Sequence, residues 1–351
     1  MSADILFLPV SGPRGASSRY RIFQFLPAIE AAGYSHRIHL PPTGPGQGLG
    51  RIVTAWRDQR AIRKLAALAQ LSFVQKRLLP ERLVAALARS GRLMFDFDDA
   101  IFTSPTGDRS VHASRRVERR LQAVLAAADV VLTGNRYLAE YSAPYARHVT
   151  VLPTVVDTDR YPARQHGSRD RPVIGWIGHS VNHPYLAAMQ PLLQRLAATQ
   201  KFSLLIVSDK DLLLPGIEVE NRRWSEATEV ADILDMDIGI MPMPDDPWSR
   251  GKCGLKALQY MAAGVPVVCA AVGANVDIVR NGIDGFAASG EADWQEGLGE
   301  LCASAELRAA MGTSARARVA AEYSIRSATP ILLQQIESTI GSGSIEKPKG
   351  D

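Results

Sequence analysis

The chain has 351 residues, enough for two domains that each bury a core, and its 46% hydrophobic and 22% charged content is that of a soluble globular protein. Cys253, Cys269 and Cys302 are too few and too widely spaced for a disulfide framework or a cysteine metal site. The net charge of +4 divides unevenly: residues 1–160 hold 22 Lys+Arg against 13 Asp+Glu, a balance of +9, and the remainder balances at −5. No apolar run reaches the roughly 18–20 residues that a membrane-spanning helix needs. Met1-Ser2-Ala3-Asp4 lacks a basic stretch followed by an apolar core, so no signal peptide is read and a cytoplasmic location is expected.

Asp4–Val10 reads as a first strand ending in a Ser/Gly/Pro loop. Leu71–Gln75, Leu93–Phe97, Asp129–Thr133 and His148–Leu152 follow as strands. Helical patterns over about 51–69, 80–90, 109–127 and 135–142 separate them. Strands alternating with helices imply a parallel sheet covered on both faces. Pro153 to Pro172 is polar and holds three prolines and a charged run, the expected linker. The alternation restarts with strands at Val173–Ile177, Ser203–Ser208, Asp237–Met241 and Val265–Cys269. Short helices are expected over 291–340, and Gly341 to Asp351 reads as a disordered tail.

The most informative stretch runs from Pro247 to Val268. It reads as a polar loop, a helix closed by Gly264 and a buried strand. Arg250, Lys252 and Lys256 cluster with Gly251 and Gly254 where the loop enters the helix. A helix N-terminus offers unpaired N–H donors and partial positive charge, which suits a phosphate. Lys252, Lys256 and Gln259 are spaced to share one helical side.

This block resembles the donor segment of nucleotide-sugar glycosyltransferases of the GT-B fold, in particular family four (group 1-like). The resemblance continues through Val272-Gly273-Ala274-Asn275, Asn281-Gly282-Ile283-Asp284-Gly285-Phe286, Leu307-Arg308-Ala309-Ala310-Met311-Gly312 and Glu322-Tyr323-Ser324. It covers most of residues 171–326 and extends more thinly over the N-terminal half. The family often carries two glutamates eight residues apart on this loop and helix. Gly251 and Gln259 stand there instead, and the Gln259 amide can still bond sugar or ribose hydroxyls.

The resemblance implies an α/β architecture of two Rossmann-like doubly wound domains facing across a cleft. The expected units are 1–160 on the acceptor side, 161–326 for the nucleotide sugar, and a helix over 327–340 crossing back to the first. Gly178 and His179, in the loop after Val173–Ile177, are candidates for the donor diphosphate. The absence of G-x-G-x-x-G there argues against a nicotinamide or flavin dehydrogenase. Trp224 and Ser225 are candidates for the nucleotide base, with core packing the competing role for the tryptophan. Gly273 and Asn275 complete the donor set, and Arg19 is a candidate for donor phosphate or acceptor.

Asp96-Phe97-Asp98-Asp99 ends an apolar strand, and Asp98 is the candidate that positions or deprotonates an acceptor. Alternation would turn Asp96 and Asp98 to one side and Asp99 to the other. A haloacid-dehalogenase reading of the same motif fails, since Ala100 replaces the expected Thr or Val and no later Gly-Asp-x-x-x-Asp follows.

The expected function is transfer of a sugar to a hydroxyl acceptor, with Arg250 and Lys252 stabilising the leaving group. No cofactor or metal is expected. Retention of configuration and a place in polysaccharide or glycolipid synthesis follow from the resemblance alone. The alternatives are a non-catalytic nucleotide-sugar-binding protein and a GT-B epimerase. The basic N-terminal half suggests an anionic membrane surface and a lipid-linked acceptor. Nucleic acid is not expected, because no interleaved aromatics accompany the arginines.

Overall fold

A computed structural model describes residues 3–42, 44, 49–104, 110–165, 167 and 170–341. The expected tail beyond Gly341 lies outside them. The chain forms two compact units, Met1–Pro153 with the stretch from Ala328 onward, and Thr154–Ser327. The expected boundaries were 160 and 326. Residues 154–161 join the second unit because Val156 bridges to Ser324 and Tyr161 is buried there, its carbonyl accepting from Arg316 Nη1 at 2.5 Å.

The first unit holds β1 (Ala3–Leu8), β2 (His36–Ile38), β3 (Ala69–Gln75), β4 (Arg92–Phe97), β5 (Val130–Thr133) and β6 (Val149–Val151), in the order β2-β1-β3-β4-β5-β6. Every pairing is parallel, with Ile5 opposite Leu71 and Phe7 opposite Phe73. Apolar runs such as Ile-Leu-Phe-Leu in β1 suit strands covered on both faces. Phe7, Phe73, Phe95, Leu83, Leu121 and Leu125 are all buried. Because β1 lies between β2 and β3, the chain reverses direction across the sheet there. Such a switch point opens a crevice at the carboxyl ends of β1 and β3.

The second unit holds β7 (Val173–Ile177), β8 (Ser203–Ser208), β9 (Val219–Arg223), β10 (Ile238–Met241), β11 (Val267–Ala270) and β12 (Gly285–Ala288), all parallel in the order β12-β11-β10-β7-β8-β9. Trp176, Leu193, Leu204, Ile206, Ile240 and Leu298 lie in one core. Here the switch point falls between β7 and β10.

Three strands escaped the sequence reading. β2 and β9 are edge strands with the polar sequences HRI and VENRR, and β12 is the edge strand GFAA. At a sheet edge β2 and β9 bury too little to need an apolar run, and β12 is a four-residue strand that begins with glycine. The expected short helices over 291–340 are instead three long ones, Glu291–Ala303, Ala305–Glu322 and Ile325–Gly341. Ser304 separates the first two by capping the second, its hydroxyl accepting from Leu307 N–H at 3.0 Å. Pro330 sits inside the last helix without ending it.

Candidate functional site

In the second unit the candidates gather at the carboxyl ends of β7, β8, β10 and β11. After β10 the chain forms a four-residue helix, Pro247–Arg250, capped by Asp246, whose carboxylate accepts from Ser249 N–H at 2.7 Å. Arg250 makes a two-bond fork to Asp245, Nε–Oδ1 at 2.6 Å and Nη2–Oδ2 at 3.0 Å, on an exposed surface. Lys252 lies in the turn that follows, with its Nζ 5.3 Å from the Trp248 ring centroid. Since the next helix is Leu255–Ala262, Lys252 is not on it, which corrects the expected row of Lys252, Lys256 and Gln259. The backbone turns at Ser249–Lys252 and restarts only at Gly254, breaking the spacing on which that row depended.

Gly254 caps the Leu255–Ala262 helix in the left-handed region, φ +67°, and a Cβ there would stand 2.2 Å from Ile278 Cδ1. Only glycine lets the chain enter this helix so close to the neighbouring loop. From the helix's first turn Lys256 lays its stem over Gly178, where an added Cβ would meet Lys256 Cε at 2.7 Å. Its Nζ reaches to 5.6 Å from the Trp176 ring centroid. Gly178 itself donates its N–H to Val207 O at 3.0 Å, so the loop after β7 stays in line with the end of β8.

Gly273, φ +57°, brings another turn against Arg250, whose carbonyl oxygen would lie 2.6 Å from a Cβ. Asn275 is fully buried and donates to Ala270 O at 2.9 Å. Its Oδ1 would stand 3.3 Å from a Cβ on Gly254 and has no hydrogen-bond partner among the described residues. Arg250, Gly254, Gly273 and Asn275, more than twenty residues apart in sequence at the extremes, are therefore one packed constellation. Lys256 joins it to Gly178.

His179, Trp224 and Ser225 lie on the β8 and β9 side, and Gln259 lies in the Leu255–Ala262 helix. His179 accepts from Val181 N–H at Nδ1 (3.3 Å), and its Nε2 lies 3.5 Å from Asp209. The backbone N–H of Ser180 foremost, with its hydroxyl, lowers the Asp209 carboxyl to about 2. A fixed negative charge thus stands beside His179. His183, lowered by burial, bonds Ser208 Oγ at 2.9 Å and sits edge-on to Trp176. Trp224 continues from β9, its N–H on Ser208 O at 3.0 Å and its indole Nε1 on the buried Glu229 at 3.0 Å. Trp224 as a whole remains 37% exposed. Ser225 bonds Thr228 within its own turn. Gln259 is only 4% exposed, and its Nε2 donates to Tyr161 OH at 3.3 Å. Gln259 thus lies in the interior of the second unit, one of its amide hydrogens engaged by Tyr161.

The first unit carries the acceptor candidates. Asp98 accepts from Ser17 Oγ at 2.5 Å and lies 3.1 Å from Lys76 Nζ. Lys76 also bonds Asp99, and reaches Ser17 Oγ at 3.2 Å. Burial alone would raise the Asp98 carboxyl, but the Lys76 and Arg21 charges and the Ser17 hydroxyl outweigh it and hold the group below its ordinary range. For Lys76, burial would lower the ammonium, and Asp98 and Asp99 reverse that and raise it.

The expected division of the aspartates is also corrected. Asp98 and Asp99 converge on Lys76, while Asp96 pairs with Arg21, whose Nε lies 3.1 Å from both carboxylate oxygens. β4 ends at Phe97, and alternation ends with it. Arg19 is buried against its neighbour, Nη2 to Tyr20 OH at 3.1 Å and the guanidinium 4.6 Å from that ring. Ser17 and Lys76 were not among the expected site residues. The signal for Lys76 was its position, directly after an apolar strand at the carboxyl edge. Among the described residues it alone of the non-glycines has a positive φ, 59°.

Residues 171–304 match the family model described as glycosyl transferases group 1. Among curated proteins none matches. Among solved structures, a sucrose-phosphate synthase from Thermosynechococcus elongatus is similar over 97% of this chain and all of its own, with a TM-score of 0.78 at 14% identity. A glycosyltransferase from Rickettsia africae gives 0.67 at 12% identity over 98% of this chain and all of its own. HepE of Anabaena, in complex with UDP-glucose, gives 0.63 at 16% identity over 97% and 100%. The chain has the GT-B fold of two Rossmann-like domains, and residues 171–304, within its second unit, are similar to group 1 glycosyl transferases.

Proposed function

We propose that this protein transfers a sugar, with retained configuration, from a nucleotide-sugar donor on its second unit to a hydroxyl acceptor on its first. The observation that carries this reading is the convergence of Gly178, Lys256, Gly254, Gly273 and the backbone of Arg250 beside the β7/β10 switch point. Glycines there admit a diphosphate to backbone N–H groups. Lys252, Lys256 and Arg250 then supply the charge that steadies it as it leaves. No metal is required in this scheme, because fixed cations and the helix N-terminus take the leaving charge.

Asp98, held ionised beside Lys76, is a weak base. Its role in this reading is to accept a hydrogen bond from the acceptor hydroxyl and orient it. The HepE complex makes UDP-glucose the first donor to try. The acceptor class we assign is a lipid-linked or envelope-bound glycan, handled at the inner face of the membrane, in keeping with the basic N-terminal half. A non-catalytic sugar-nucleotide-binding role is the second reading, motivated by Gly251 and by Gln259, which turns inward to Tyr161.

Incubation with a panel of nucleotide sugars separates these readings. Slow release of free nucleoside diphosphate from one of them is expected, and Lys252→Ala should cut that release about tenfold, the worth of one charged hydrogen bond. Binding without turnover would favour the sensor, and a rearranged sugar would favour an epimerase. Indifference to every nucleotide would overturn the proposal.

A further inference from the structure

The Leu49–Ala66 helix joins β2 to β3 and carries five cations, Arg51, Arg57, Arg60, Arg63 and Lys64, against one acid, Asp58. Its inward side is settled by Ile62 and Ala66, which are buried, and by Asp58. That carboxylate is held by His39 Nε2 and by Arg77 Nη2, each at 2.8 Å, so the helix's only negative charge is turned inward and neutralised.

The outward side is unusual in two ways at once. Ile52 is 66% exposed and Trp56 60%, with Val53 exposed beside them. At about 100° per residue, Ile52, Arg63, Trp56, Arg60, Val53, Lys64 and Arg57 fall within an arc of about 140°. All seven are exposed, and none is acidic. The Arg60 guanidinium lies 5.6 Å from the Trp56 ring, so charge and aromatic face are presented together. The apolar residues occupy the first turns and most of the cations the later ones. The helix packs on the Glu81–Ser90 helix, which packs in turn on Val111–Ala127. Exposed Arg82, Arg89, Arg115 and Arg116 extend the positive charge along that layer.

We infer that this outward face is a docking site for an anionic membrane leaflet. Trp56, Ile52 and Val53 enter the headgroup boundary, and Arg57, Arg60, Arg63 and Lys64 pair with lipid phosphates. A solvated helix face explains the arginines but not three large apolar side chains left open among them. The helix runs antiparallel to its strands. Its apolar first turns therefore lie toward the carboxyl edge of the first sheet, the edge that holds Ser17, Lys76 and Asp98. The inference does not depend on sugar transfer, and it stands if the donor reading falls.

The test is sedimentation of the full chain with vesicles of phosphatidylcholine alone and with phosphatidylglycerol added. Capture by the acidic vesicles is expected at 0.1 M salt, and it should fall steeply at 1 M as the Debye length drops from ~10 Å to ~3 Å. Replacing Arg57, Arg60, Arg63 and Lys64 by Gln should weaken partition on the order of a thousandfold. A second variant, Ile52→Ser with Trp56→Ser, should weaken it independently while leaving the melting temperature in place, since both side chains are exposed. Absence of the wild type from acidic vesicles at low salt would overturn the inference. So would unchanged capture of both variants, or binding to duplex nucleic acid without binding to vesicles.

Discussion

Asp98 illustrates how a residue's surroundings decide its chemistry. Its depressed carboxyl pKa means that the folded protein favours the ionised form more than the unfolded chain does, where an aspartate titrates near ~3.9. The stability this supplies is present above about pH 4 and is lost as pH falls through the folded value. Asp98→Asn should therefore lower stability at neutral pH by about 1–3 kcal/mol, the range for a buried hydrogen bond to a charge. It should also flatten the acid limb of a melting-temperature profile. Wild-type and variant profiles that stay parallel from pH 7 to pH 3 would show that Asp98 is not the group concerned. The strand ending in Asp-Phe-Asp-Asp was visible in sequence. Lys76, which sets the state of that cluster, was not, because its partners lie twenty-two residues or more away and only the pairing of β3 with β4 brings them together. The contact of Gln259 with Tyr161 is unreadable for a related reason: the spacing from Lys256 is helical, but the partner comes from a segment ninety-eight residues away.

At the scale of elements, the Leu255–Ala262 helix depends on how it begins. Gly254 holds a left-handed turn that costs a side-chain-bearing residue about 1–2 kcal/mol, and a Cβ would also strike Ile278. Gly254→Ala should cost more than the backbone term alone and should tilt the helix start away from Gly178. A drop in melting temperature with a weakened affinity for a nucleoside diphosphate is expected. Intact affinity in a destabilised protein would separate the helix start from the ligand. Sequence legibility follows burial at this scale. Strands with apolar runs, such as Leu71–Gln75 and Ser203–Ser208, could be read because both faces are covered. The edge strands β2 and β9 could not, because pairing on one side alone leaves polar residues tolerable, and β12 was too short and too glycine- and alanine-rich to stand out.

Across the molecule, each of the two six-stranded parallel sheets has one point where the chain's progress reverses, and the candidate loops follow the carboxyl ends of strands at or near that point, with Trp224 and Ser225 farther out after β9. The two-unit organisation was legible because the βα alternation stops and restarts around Pro153–Pro172. The division of charge was legible by counting, but the exposed Ile52, Val53 and Trp56 within the basic half needed the structure, since sequence gives their spacing and not which side is buried. A ligand that the second unit alone recognises should leave its mark there. Addition of a nucleoside diphosphate should slow amide exchange over residues 176–183, 247–258 and 271–276, the three turns that meet around Gly178, Gly254 and Gly273. Exchange in β1, β3 and β4 of the first unit should stay unchanged, because those amides are already paired within the sheet. Protection that appeared only around Arg19 and Lys76 would move the donor to the first unit. The group 1 segment would then have to be given another role.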